Sequence, residues 1–152
     1  MRVIFLDIDG VLNYPDCFDP GRAWIDPGCI ARLNLLVQRS KAVLAITSTW
    51  RGLVHSGKMT LDGLRWLLGS HGLEATIEGI TGPDAQTPDR GQQILRWLQD
   101  HPRVEAFVIL DDDTVTIDGL AHHVVRIDDA SGLTDEDIDR ASAILDQPVV
   151  WH

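Results

Sequence analysis

Three short runs, Val3–Leu6, Ala42–Ile46 and Ala106–Leu110, are apolar at every position rather than at every second one. A strand with one wet face alternates polar and apolar residues, whereas a strand buried on both faces does not. These runs therefore call for a sheet covered on both sides, and the segments between them carry the cover. Ile30–Ser40 has apolar residues at helical spacing (Ile30, Leu33, Leu36, Val37), preceded by Pro27-Gly28. Thr60–Leu68, with Gly69 as a stop signal, and Gly91–Leu98, closed by Asp100-His101-Pro102, read the same way. Thr134–Leu145 is a last helix, in which Thr134 and Asp137 have the spacing of a capping box. Ala75–Ile80 and Val124–Ile127 bring the strands to five. The alternation predicts an α/β fold: a Rossmann-like three-layer sandwich around a five-stranded parallel sheet. A length of 152 residues suits one domain, 1–152.

No stretch approaches the roughly 18 apolar residues of a membrane span, and the N-terminal apolar run is too short for a signal-peptide core. Cys17 and Cys29 allow one bridge at most and form no CxxC pair, so a reducing, cytoplasmic location is expected. His122-His123 reads as a solvated loop pair rather than a metal site. The formal charge is −10, which argues against broad nucleic-acid or anionic-membrane binding. The acid surplus is nearly all aspartate, 19 Asp against 4 Glu. Aspartate favours caps, turns and metal sites over helix interiors, so its placement matters more than its number.

In doubly wound sheets ligands bind beyond the carboxyl ends of the strands. Asp7-Ile8-Asp9-Gly10 follows the first strand, Thr47-Ser48-Thr49-Trp50-Arg51 the second, and Asp111-Asp112-Asp113 the run ending at Leu110. Any one of these is unremarkable alone, since a DxDG can be a turn or a cap. Caps do not require three polar sites on one edge of a sheet. Clustered carboxylates repel, at a cost when they are partly desolvated, and oxygen ligands without His or Cys select a hard cation such as Mg²⁺. Asp7 can act as a carboxylate nucleophile in phosphoryl transfer. Asp9 can protonate the leaving oxygen and then activate water. Gly10 lets a phosphate approach the backbone. Thr47, Ser48 and Arg51 offer phosphate donors, and one further cation is needed to balance the phosphoryl oxygens.

Phe5-Leu6-Asp7-Ile8-Asp9-Gly10-Val11-Leu12 resembles the first motif, hhhDxDGxL, of the haloacid dehalogenase (HAD) superfamily. Thr47 after its apolar strand resembles the second motif, and Ile109-Leu110-Asp111-Asp112 the fourth. The resemblance implies that Asp7 is the nucleophile and Asp9 the acid/base. It also implies metal ligands at Asp7, Asp112 and Asp111, with Asp9 giving its backbone carbonyl. The second aspartate of the first motif points to phosphatases rather than to dehalogenases or cation pumps. The third motif is usually Lys. Here Lys41 lies at the wrong end of the sheet and Lys58 is too early, so Arg90, at the start of a helix, takes that place. LDIDGVLN, STWR, ILDDD and Gly132-Leu133-Thr134 look like the HAD domain of Swiss Army Knife RNA-repair-type proteins, and the acidic pair resembles the phosphatase half of phage-type polynucleotide kinase-phosphatases.

HAD enzymes restrict their substrates with cap insertions. After the helix at Ile30–Ser40 is allowed for, 13–29 leaves room for a flap and not for a large cap. An open site suits a phosphate on a large substrate such as a nucleic-acid end or a protein; the phosphorylated substrate expected is a nucleic-acid end, a nucleotide or a small metabolite. Trp24 or Trp50 could stack on a base, although packing is the plainer role for each, and Arg22, Arg51 and Lys58 could line an anionic groove. The expected function is a Mg²⁺-dependent phosphomonoester hydrolase working through an aspartyl-phosphate. The rivals are a small-metabolite phosphatase and a catalytically silent HAD-fold binding module. A phospho-acceptor receiver fits poorly, because Thr81-Gly82, not Asp, follows the third strand. Oligomeric state is not legible.

Overall fold

The computed structural model describes residues 1–14, 25–47, 57–82, 90–113 and 120–148. Five parallel strands, β1 (Arg2–Leu6), β2 (Val43–Ile46), β3 (Ile77–Ile80), β4 (Ala106–Asp111) and β5 (Val124–Arg126), form one sheet in the order β3-β2-β1-β4-β5. Four α-helices among the described residues accompany it: α1 (Pro27–Ser40), α2 (Leu61–Ser70), α3 (Arg90–Asp100) and α4 (Asp135–Leu145), with a short 3-10 turn at Ala121–His123 before β5. The chain winds from β1 outward to β3, then returns to place β4 on the other side of β1. The direction of winding thus reverses between β1 and β4, the position at which such sheets open a crevice.

The two faces are covered as the continuous apolar strands require. Alternate strand residues Ile4, Leu6, Leu44, Ile46, Val108 and Leu110 join one core with α1, α2 and α4. Val3, Phe5, Ala45, Phe107 and Ile109 meet Ile94, Trp97 and Leu98 of α3 on the other. There the Phe5 ring meets Trp97 and Phe107 edge-on, with centroids 5.4 and 5.8 Å away.

The helix starts follow side-chain chemistry. α1 begins at Pro27, three residues before the expected Ile30. Asp26 accepts from the Cys29 N–H at 3.0 Å, and proline at the first position has no N–H to leave unsatisfied. α2 is capped by Thr60 and runs through Gly69 to Ser70; the chain reverses at Gly72, where φ is +98°. α4 has the expected capping box, with Thr134 and Asp137 exchanging hydrogen bonds. Cys29 is a free, buried thiol, and Cys17 lies outside the described residues, as does most of the expected flap. His123 stacks on Phe107 at 4.0 Å, a packing role, and its Nδ1 faces the Phe107 carbonyl.

Candidate active site at the β1–β4 edge

β1 and β4 end side by side. The Asp7 N–H donates to the Leu110 carbonyl at 3.0 Å, and the Thr47 N–H donates to the Leu6 carbonyl at 2.9 Å. These bonds extend the ladder by one residue past the apolar strands, so three polar side chains emerge at one level of the sheet. Asp7 is 5% exposed, and Asp111 and Thr47 are fully buried. Carboxylate oxygens of Asp7, Asp111 and Asp112 lie within 4.8 Å of one another, the one such group of potential metal ligands among the described residues.

Arg90, the first residue of α3, reaches into this group. Its Nη1 donates to Asp111 Oδ2 at 2.6 Å and lies 3.8 Å from Asp7 Oδ2. The other Asp111 oxygen accepts the Asp113 N–H at 2.9 Å. Asp111 is thus held on both oxygens, while Asp113 is exposed and contributes backbone. One Asp7 oxygen accepts the Ile8 N–H at 3.0 Å. Burial works against the Arg90 charge, but Asp111 and Asp7 outweigh it and raise its pKa. Burial raises the pKa of Asp111, with Arg90 opposing. The Asp7 carboxyl is pushed up to about 8, first by burial, then by a hydrogen bond with Asp112 and the charge of Asp111. A single arginine therefore leaves negative charge uncompensated in the cluster. Three oxygen donors with no nitrogen or sulfur among them suit a hard divalent cation.

Residues two apart in an extended strand share a face, but Asp9 does not share one with Asp7. The chain turns at once, with the Val11 and Leu12 N–H groups bonding the Ile8 carbonyl, so Asp9 is turned outward and exposed and its carboxylate stands outside the cluster. Asn13 is the neighbour that sequence reasoning gave no role. It is 2% exposed, accepts the Gly10 N–H at 2.8 Å and donates to Asp9 Oδ1 at 3.0 Å. The only signal for it was a polar residue directly after an apolar Val11-Leu12 pair. Gly10 has φ +82°, and a Cβ there would come within 2.7 Å of Asp112 Cγ. Its smallness makes room for Asp112, beside any service to a phosphate. Gly132, at φ +67°, lets the last loop press on the same turn, where the Leu133 N–H bonds the Val11 carbonyl. Ser48 and Arg51 lie outside the described residues, as do Trp24, Trp50 and Arg22; Lys58 is exposed.

A model of the HAD domain in Swiss Army Knife RNA repair proteins matches residues 3–138. The chain belongs to this family. The match runs from β1 into α4 and so includes the whole carboxylate cluster and Arg90. It places this HAD domain among phosphatase-like hydrolases, and the described residues include no large cap. No curated protein and no solved structure matches the chain. Beside the cluster, this HAD domain has a cavity of about 280 Å³ lined by Asp112, Arg126, Ile127, Asp128 and Asp129. No helix among the described residues is long and apolar enough to cross a membrane.

Proposed function

We propose that this HAD domain is a Mg²⁺-dependent phosphomonoester hydrolase that works through a phosphoryl group carried on Asp7. The observation that carries the reading is the convergence of Asp7, Asp111 and Asp112 within 4.8 Å at the point where the winding reverses. Asp7, Asp112 and Asp111 would hold the cation, together with the Asp9 carbonyl. When bound, it would offset their mutual repulsion and polarise a phosphoryl oxygen.

The chain's own residues supply the rest. An Asp7 oxygen attacks phosphorus while the bond to the leaving oxygen breaks, and the Asp9 carboxyl gives that oxygen its proton. The Asp9 carboxylate then takes a proton from water as the water oxygen attacks the phosphoryl group. The bond to Asp7 breaks, and inorganic phosphate leaves. Acid–base help of this kind contributes about 10²–10⁴-fold. Arg90 supplies positive charge beside Asp7, and Thr47, Gly10, Ser48 and Arg51 are proposed phosphate contacts. The family's connection with RNA repair turns the choice of substrate toward a phosphorylated nucleic-acid end or nucleotide, and the cavity next to Asp112 is suited to the sugar beside that phosphate.

Asp7→Asn should remain folded by circular dichroism and lose hydrolysis of phosphorylated oligonucleotides and of p-nitrophenyl phosphate alike. Chelation should also stop wild-type turnover, and Mg²⁺ should restore it. Near-wild-type turnover by Asp7→Asn would overturn the covalent route, and absence of turnover by the wild type on any phosphomonoester would leave a binding module instead.

A further inference from the structure

We propose that Asn13 is a positioning residue that aims the Asp9 carboxyl at the leaving oxygen; this rests on the hydrolase reading above. Asp9 is exposed, and an exposed aspartate ordinarily samples several rotamers. Proton transfer needs a donor within hydrogen-bond reach of its target, so something must hold it. Asn13 is itself fixed. Its side chain is buried to 2% exposure, and its Oδ1 accepts the Gly10 N–H at 2.8 Å. That bond leaves Nδ2 directed at Asp9 Oδ1, 3.0 Å away. The amide therefore joins two parts of one turn: the backbone at Gly10, which lies close against the Asp112 side chain, and the carboxylate at Asp9. A leucine at 13 would keep the volume but lose both bonds, an alanine would lose the volume as well, and a carboxylate would lose only the donor.

The test uses the full chain and compares kcat/KM, which reports the steps through departure of the leaving group. An alkyl phosphate needs its leaving oxygen protonated, and 2,4-dinitrophenyl phosphate hardly does. Asn13→Ala should lose about tenfold or more in kcat/KM on the alkyl ester beyond its loss on the dinitrophenyl ester, a fraction of the full acid contribution. Asn13→Asp should show the same selective loss. Asn13→Ala should also shift the Gly10 amide resonance, because that N–H loses its acceptor. Equal losses on both esters, with the fold intact, would overturn the positioning role, since a merely structural residue lowers both alike. If Asn13→Ala unfolds, Asn13→Asp, nearly isosteric, decides the matter by the same ratio. Wild-type hydrolysis of neither ester would overturn the hydrolase reading itself and the role with it, and is told apart by the wild type alone.

Discussion

Asp7 is the residue at which burial, charge and chemistry meet, and its behaviour with pH is fixed by them. The ordinary carboxyl value is 3.8, and in the folded cation-free chain it is about 8, raised first by burial. Between those values the native state keeps a proton that the unfolded chain has released, so this group's contribution to stability is present below about 4 and is lost as pH rises through about 8. A divalent cation competes with that proton. Mg²⁺ should therefore raise the melting temperature more at about pH 8 than at about pH 5, and Asp7→Asn should shrink the difference; equal shifts at both pH values would disconnect the cluster from the metal. The position of Asp7, Asp111 and Asp112 was legible because each directly follows an apolar strand, and strand ends share an edge. Arg90 was legible from its place at a helix start. The outward turn of Asp9 was not, because it depends on the Ile8 carbonyl receiving two N–H groups. Nor was Asn13, whose role exists only once that turn is made.

At the scale of elements, the caps decided boundaries that periodicity alone misplaced. Hydrophobic spacing locates a helix face but not its first turn, and the apolar positions of α1 begin at Cys29 and Ile30 although Asp26 starts the helix. Gly69 reads as a stop in sequence, yet nothing lies within 4 Å of where its Cβ would be; an exposed helical glycine costs only about 1 kcal/mol relative to alanine, and the turn waits for Gly72. β3 starts at Ile77, two residues late, where its pairing with β2 shifts between Leu44 and Ala45. The capping box of α4 was legible because both partners lie in one short stretch of sequence. Thr134 Oγ1 also bonds Asp137 Oδ2 at 2.8 Å, and Asp137, 5% exposed, pairs with Arg140. Thr134→Ala should lower the unfolding free energy in urea by about 1 kcal/mol and leave kcat unchanged, because α4 packs on the face of the sheet away from α3 and Arg90. A loss of activity in a still-folded Thr134→Ala would tie α4 to the site through Leu133 and the Val11 carbonyl.

The whole molecule carries a charge of −10, and this bears directly on how far along a chain the proposed recognition of a nucleic-acid end would extend. The cavity beside the cluster has one cation, Arg126, against the carboxylates of Asp112, Asp128 and Asp129. A row of backbone phosphates would meet net repulsion there, whereas the hydroxyls of a sugar would find acceptors. Proteins that grip a polynucleotide through several phosphates lose affinity steeply as salt rises, with a slope of about −0.7 per phosphate on single strands. This HAD domain should show no such loss: KM for an end-phosphorylated oligonucleotide should stay flat or fall as salt rises, because added ions screen repulsion rather than displace a contact. A phosphorylated mononucleotide and a longer oligomer with the same end should then have kcat/KM values within a few-fold of each other. A steep salt penalty confined to the longer substrate would instead reveal a basic track supplied by Arg22, Arg51 and Lys58, strong enough locally to overcome the charge of the molecule.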